Sequence, residues 1–419
     1  MPYLIRSATG TRSVNIDANS TPVVGRGGAG IVYIDPGSPD SVIKLYHSNQ
    51  IAAHQAKICA MLTNPPDGQF FIHENKRIVQ LAWPQGLIET TNGAVVGYSM
   101  PLVPSNTVPL DLLLQRSSRK SSGLRDDIEL RITVARNLAA VVRELHKKLH
   151  YVIDLHSANV RIYPSTGYVC LLDSDGYSVA SKSGPRFPAT LVLQEVLGPD
   201  GFGKKVETLS EDQDRYALAL MVFRLLNEGL TPYQGVGDNT VPPSIVERTA
   251  QGLYCYGLTE NSRQRPSPQS IHLWLEDDTR QLFDRAFMTG SRSGPRPSSK
   301  EWRDHLINLV SRIEICNRNT SHHHFSKGCM WCAKASLRPG QPLPPPPAPR
   351  SHPRLPAGKA NVTQQPAPPD WLHAALAVKL GVPLSSTVPL PDNSPSATPT
   401  ASSDIDLANG IAAILARKS

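Results

Sequence analysis

H-Y-V-I-D-L-H-S-A-N-V-R-I-Y-P-S-T-G-Y-V-C-L-L-D-S-D-G-Y-S-V, residues His150 to Val179, is the stretch on which the reading of this chain turns. Asp154 is followed five residues later by Asn159, and then by a turn at Pro164-Ser165-Thr166-Gly167. The apolar run Tyr168 to Leu172 ends on Asp173. The pattern predicts two short strands joined as a hairpin, with an acid–amide pair at one end and a carboxylate at the other. Such a cluster suits Mg²⁺ held against phosphate oxygens, with Asp154 free to orient a hydroxyl. A polar hairpin with two solvated carboxylates has the same local pattern, so the rest of the chain has to decide.

Upstream, residues 12–46 read as strands, with glycines at Gly25, Gly27 and Gly30 followed by Val32. This G-x-G-x-x-G-x-V lies between two β-branched runs, not between a strand and a helix. That excludes the dinucleotide fingerprint and suits a Gly-turn flap whose bare backbone N–H groups approach phosphates. Val42-Ile43-Lys44-Leu45 then puts a lysine inside a strand, where it either snorkels to solvent or meets phosphate. Ser48 to Leu62 predicts a helix with Ile51, Ala52, Gln55, Ile58, Cys59 and Leu62 on its buried face. Strands follow through R-I-V-Q-L-A-W-P and A-V-V-G-Y-S-M-P-L-V. Downstream of Arg125-Asp126-Asp127 a long amphipathic helix carries Leu130, Val134, Leu138, Val141, Val142 and Leu145 as its apolar stripe. A nearly all-apolar helix runs from Asp214 to Gly229, and Arg296-Pro297-Ser298 precedes another.

The flap, the strand lysine, Asp-x4-Asn, apolar-run-Asp, the core helix and Arg-Pro-Ser occur in an order that resembles protein kinases. The resemblance covers residues 15–312, about 300 residues. V-x-D-L-x-x-x-N with L-L-D-x-D, A-W-P, the M-P hinge and D-R-Y-A-L-A narrow it to divergent bacterial serine/threonine kinases associated with helix-hairpin-helix segments or zinc knuckles. No helix-hairpin-helix G-x-G repeat is visible here. The implied fold class is α+β: a bilobal protein-kinase-like fold with a small zinc knuckle and a disordered proline-rich tail. Its divisions are an N-lobe over 1–103, a C-lobe over 104–312, the knuckle over 313–335 and the tail over 336–419.

The implied activity is transfer of the ATP γ-phosphate to protein Ser or Thr hydroxyls in bacterial signalling. Lys44 then orients phosphates, Asn159 and Asp173 hold Mg²⁺, and Asp154 positions the acceptor hydroxyl. Gly25, Gly27, Gly30, Val32 and Lys44 surround the nucleotide, with Met100 and Leu102 at the hinge that reads adenine. Glu195 pairs with Arg296, and Asp214 caps the catalytic-loop backbone. The chain departs from the pattern at Gln55 (helix Glu), Ile153 (Arg), His156 (Lys) and Ser174-Asp175 (Phe after the metal-binding Asp). These departures keep a nucleotide-binding pseudokinase scaffold and a small-molecule kinase as alternatives. They also imply control by something other than loop phosphorylation, and a Gln55→Glu chain with a tighter Lys44, unless Asp175 already holds that lysine. Relatives of this kind work beside a PP2C-type phosphatase and a von Willebrand A-domain protein.

Cys316, Cys329 and Cys332 cluster with His322, His323 and His324. A C-x-x-C turn without a thioredoxin-like βαβ unit suits a closed, structural Zn²⁺ site with ligands at about 2.3 Å. The fourth ligand is expected to be His323. Cys59, Cys170 and Cys255 stand singly in apolar surroundings and read as reduced core residues. With 40% hydrophobic residues the chain can build a core, but its 38 prolines exceed what one compact domain uses. A run of them after Leu337 reads as a semi-rigid spacer, followed by short helices near residues 368–382 and 405–418. The net charge of +8 is scattered, which does not point to nucleic acid. The absence of an 18-residue apolar window, of a signal-like start and of paired cysteines reads as a cytoplasmic chain with no membrane span.

Overall fold

The computed structural model describes residues 2–259, 261–288, 294–338 and 341–347. Its first hundred residues build a seven-stranded antiparallel sheet. The strands are β1 (Pro2–Ser7), β2 (Gly10–Asn15), β3 (Val23–Arg26), β4 (Gly30–Ile34) and β5 (Ser41–Tyr46). Helix α1 (Ile51–Thr63) and the hairpin β6 (Phe70–His73) and β7 (Lys76–Val79) precede β8 (Gly86–Thr90) and β9 (Val95–Pro101). The order across the sheet is β2-β1-β8-β9-β5-β4-β3. Strand alternation sorts β5 into two faces. Ile43 enters a small core with Ile5, Val14, Tyr33 and Ile88, whereas Val42 and Lys44 turn to the opposite side and line a cavity.

The remainder is mainly helical. β10 (Val108–Pro109), α2 (Asp111–Leu114) and α3 (Arg116–Ser121) lead into α4 (Ile128–Lys147). Asp127 caps α4 by accepting from the Leu130 amide at 2.7 Å. The six residues of its expected stripe are all buried. The hairpin forms as β11 (Val160–Ile162) and β12 (Val169–Leu171), with Val160 opposite Leu171. Helix α5 (Glu211–Leu226) runs through the core, starting and ending three residues earlier than the apolar run suggests. β13 (Gly235–Gly237), α6 (Ile245–Ala250), β14 (Gln264–Pro266), α7 (Asp277–Phe287) and α8 (Ser299–Ser311) complete this part. Ser298 and Glu301 form a reciprocal capping box at α8. β15 (Glu314–Ile315), β16 (His323–His324) and α9 (Met330–Ala335) form the cysteine-rich end.

Two expectations change here. The buried residues of α1 are His54, Lys57, Ile58, Cys59, Ala60 and Met61, while Ala52 is exposed and Gln55 only partly covered. The helix is apolar over much of its circumference, so its orientation is set by the partners it packs on: β8, β9 and the Ser174–Gly176 turn. Arg296 does not reach Glu195, which is exposed. It pairs instead with Asp200 and Asp212, and its Nε donates to Ala286 O at 3.1 Å. The anticipated tail helices at 368–382 and 405–418 lie outside the described residues.

Candidate active site

A cavity of 860 Å³ separates the sheet from the helical part. Gly25, Gly27, Gly30, Val32, Lys44, Met100, Leu102, Asp154, Asn159 and Asp173 all line it. Residues far apart in sequence are therefore gathered round one space.

The flap is the β3–β4 hairpin, closed by the Gly27 amide on Gly30 O at 3.0 Å. Its glycines divide into two kinds. A Cβ at Gly30 would lie 2.2 Å from Leu45 O, so the sheet itself requires glycine there. A Cβ at Gly25 or Gly28 meets nothing within 4 Å, and one at Gly27 meets only Gly30 O at 4.0 Å. None of these three has the positive φ that demands glycine. Their missing side chains leave room over the cavity that the protein's own packing does not use. At the hinge, Met100 pairs with Val42 across the sheet, and the Leu102 amide is already donated to Asp40 O at 2.9 Å. A ligand at this edge therefore meets Leu102 without that N–H.

Lys44 is 8% exposed. Its Nζ donates to both oxygens of Asp175 at 2.8 Å and to Asp173 Oδ1 at 3.4 Å. Tyr46 Oη donates to Asp175 Oδ2 at 2.9 Å, and Tyr98 Oη to Asp175 Oδ1 at 3.0 Å. Burial opposes the charge on Lys44, yet the two carboxylates hold its pKa above the ordinary value. Burial likewise opposes ionisation of Asp175, but Lys44 and the two phenols keep its carboxyl below the usual range. The helix residue facing this group is His54, not Gln55: its ring stacks on Tyr46 at 4.5 Å, with Nδ1 4.0 Å from Asp175 Oδ2. Tyr46 and Tyr98 were not legible as site residues. Tyr46 lies two places from Lys44 on the same strand face, a weak signal, and Tyr98 is opposite Lys44 only through the β5–β9 register.

Asp154 Oδ1 accepts from the Leu193 amide at 2.9 Å, and Oδ2 lies 3.5 Å from His156 Nε2. Two residues here adopt left-handed backbone, Ile153 (φ 63°) and Asp173 (φ 55°). For a β-branched residue such as Ile153 this conformation is strained and has to be held by its surroundings. Asp214 holds it, accepting from the Val152 amide at 2.8 Å and the Ile153 amide at 2.6 Å. His146 Nε2 lies 2.9 Å from the same carboxylate. Asp173 is open by comparison, its side chain 59% exposed.

At the far end of the chain, Cys316, His322, Cys329 and Cys332 place four donor atoms within 4.8 Å of one another. The histidine is His322, not His323. β16 holds His323 and His324 opposite Ile315 and Glu314, while His322, just before the strand, turns Nδ1 to within 3.6 Å of Cys329 Sγ and 3.5 Å of Cys332 Sγ. Cys316 and Cys332 sulfurs are 3.5 Å apart. Ligands on a tetrahedron around zinc lie about 3.5–3.8 Å from each other, so this Cys₃His group could hold zinc. The Arg318 amide draws the Cys316 thiol down to about 7, toward the thiolate that a metal needs. Cys59, Cys170 and Cys255 are free and buried.

No family model matches the chain. It is similar to Protein kinase YegI of Escherichia coli strain K12, 29% identical over 324 residues that cover 74% of this chain and 48% of the relative. The protein of the same name from Escherichia coli O157:H7 is 29% identical over 325 residues, with the same shares covered. The chain thus spans about half the length of the curated relatives it matches. No helix among the described residues is long and apolar enough to cross a membrane. The likeness to proteins named as protein kinases supports a kinase-like family for this chain.

Proposed function

We propose that this chain is an ATP-dependent serine/threonine protein kinase whose site is the cavity between sheet and helices. The observation that carries the reading is the meeting of the Gly flap, Lys44, Asp154, Asn159 and Asp173 around one space. The bare edge of Gly25, Gly27 and Gly28 fits a phosphate chain, because no protein atom claims the volume that side chains would occupy. Bound Mg–ATP supplies the phosphoryl group and the metal charge that neutralises it. Asn159 and Asp173 are the residues to hold Mg²⁺, a hard cation that prefers such oxygens. Lys44 presents a fixed positive charge to phosphate oxygens, and Asp154 orients the acceptor hydroxyl and takes its proton. Met100 and Leu102 line the cavity at the end of β9, where the flat face of a base fits. The Cys₃His group holds a structural Zn²⁺. The same reading gives a cytoplasmic bacterial signalling protein, acting on protein hydroxyls opposite a PP2C-type phosphatase and beside a von Willebrand A-domain protein.

The test uses the full chain with γ-labelled Mg–ATP and dephosphorylated casein, scoring transfer to casein and to the chain itself. Asp154→Ala should lower the rate by about 10²–10⁴-fold, and Asp173→Ala should abolish it while the protein stays folded. Nucleotide binding without transfer to either acceptor would leave the chain a scaffold.

A further inference from the structure

Sequence order suggests that Lys44 has lost its helix-borne acid. α1 (I-A-A-H-Q-A-K-I-C-A-M-L-T) contains no carboxylate, so Lys44 has no partner on that helix. The cavity wall shows a different solution. Two carboxylates two residues apart, Asp173 and Asp175, approach the same lysine but differ in every physical respect. Asp173 is a long, single contact at 3.4 Å and faces open space. Asp175 is a bidentate contact at 2.8 Å on each oxygen, only 2% exposed, with both oxygens further satisfied by Tyr46 and Tyr98. A carboxylate sealed from solvent and already accepting from three side chains is poorly placed to exchange partners for a metal. One that projects into the cavity is well placed.

We propose that Asp175, braced by the Tyr46 and Tyr98 hydroxyls, is the fixed counter-ion that positions Lys44, so that this lysine is aligned from the turn after β12 and not from helix α1. The inference rests on the kinase reading for its catalytic meaning but not for its geometry. The bracing explains why the arrangement is stable. A buried lysine–carboxylate pair survives desolvation when its remaining lone pairs are hydrogen-bonded, and here two phenols provide that. It also removes a degree of freedom. A lysine whose partner sits on a mobile helix loses alignment when the helix moves, whereas Asp175 belongs to the turn that carries Asp173. Lys44 and the open carboxylate are then held by one short segment, residues 173–175, against one strand, β5. Helix α1 brings to this group the His54 ring, which packs on Tyr46, and the buried Lys57, whose charge Asp175 favours against burial, but no acid. Asp175 is a positioning residue in this account. It acts through Lys44 and touches no reacting atom.

The experiment has two independent arms on the full chain. The first is a double-mutant cycle on thermal unfolding with Lys44→Met, Asp175→Asn and both together. The expected result is strong non-additivity, the double variant melting no lower than the less stable single one, because each single change strands a buried partner. Additive midpoints would overturn the proposal whether or not the chain transfers phosphate. The second arm measures transfer from labelled Mg–ATP to dephosphorylated casein. Asp175→Asn should reduce kcat by about 100-fold, the scale of losing one preorganised charge contact, with a smaller change in KM. Adding His54→Glu should restore about tenfold, since a carboxylate at position 54 returns from α1 the negative charge beside Lys44 that Asp175→Asn removes. Gln55→Glu, on a face that does not line the cavity, should restore nothing. Transfer by Asp175→Asn within threefold of the unaltered chain, or equal rescue from positions 54 and 55, would sink the assignment. If the unaltered chain transfers no phosphate, the kinase reading fails, and the cycle alone still decides the role of Asp175.

Discussion

His150 shows how one side chain can tie several segments together at the start of the site loop. Its Nε2–H donates to Asn64 O at 2.8 Å and its Nδ1 accepts from the Ala180 amide at 3.2 Å. That pair of contacts fixes a neutral tautomer, and burial pushes the pKa down from 6.5 to about 4. The unfolded chain therefore binds a proton that the folded chain refuses between these values. The associated stability is complete above pH 6.5 and is lost as pH falls toward 4, a total of about 3 kcal/mol. An NMR titration of the His150 ring should give a midpoint near 4, and a midpoint above 6 would contradict the tautomer assignment. Gln55 illustrates the opposite outcome. It occupies the expected place in sequence but faces away from Lys44, so Gln55→Glu alone should leave the transfer rate unchanged.

At the scale of the element, the flap separates glycines by purpose. Gly30→Ala pushes a Cβ to 2.2 Å from the Leu45 carbonyl and should destabilise the β4–β5 pairing. Gly27→Ala adds a methyl that meets only Gly30 O at 4.0 Å, so the thermal midpoint should barely move while affinity for Mg–ATP falls. Equal effects of both substitutions on stability and on nucleotide affinity would remove the case for a phosphate cradle. The cysteine-rich end gives a second test. His322→Asn and Cys329→Ser should each lose bound zinc by metal analysis, whereas His323→Asn should retain it. Zinc loss confined to His323→Asn would reverse the assignment. In the loop after Asp173, Ser178 is buried and its Oγ accepts from Arg186 Nη1 at 3.0 Å. Phosphorylation there would require dismantling the loop, leaving Ser181, Ser183 and Thr190 as its accessible hydroxyls.

Across the whole molecule, residues 341–347, beyond the cysteines, pack against the core. Leu343 packs against the main apolar cluster, its amide donates to Pro268 O at 3.0 Å, and the Trp274 indole donates to Pro344 O at 3.1 Å. The Phe325–Gly328 turn docks on the same region, with Ser326 on Glu276 and Lys327 on Asp277. A chain ending after Lys334 should therefore melt about 2–4 °C below one ending after Pro347, the shift expected for losing roughly 1 kcal/mol of contacts. Identical midpoints would show that the segment contributes nothing to stability.

Periodicity and residue chemistry were enough, in the sequence alone, for the α4 stripe, the β11–β12 hairpin and the strand lysine, while the residues expected round one site came from the resemblance to protein kinases. Local patterns express themselves there without help: a 3.6-residue repeat buries one face, and alternation of two assigns sheet faces. What the tertiary structure decided was which side chains meet. Helix α1 is apolar over too much of its surface for sequence to choose between His54 and Gln55, so its packing partners chose. His322, not His323, reaches the cysteines because strand pairing fixes its two neighbours. Arg296 takes Asp200 and Asp212 because Glu195 lies on an exposed turn. Asp175 becomes the partner of Lys44 through a register, Lys44 opposite Tyr98, and a left-handed turn at Asp173. Neither is written in the spacing of the residues, because the Lys44–Tyr98 register and the Tyr98–Asp175 hydrogen bond join segments that lie far apart in the chain.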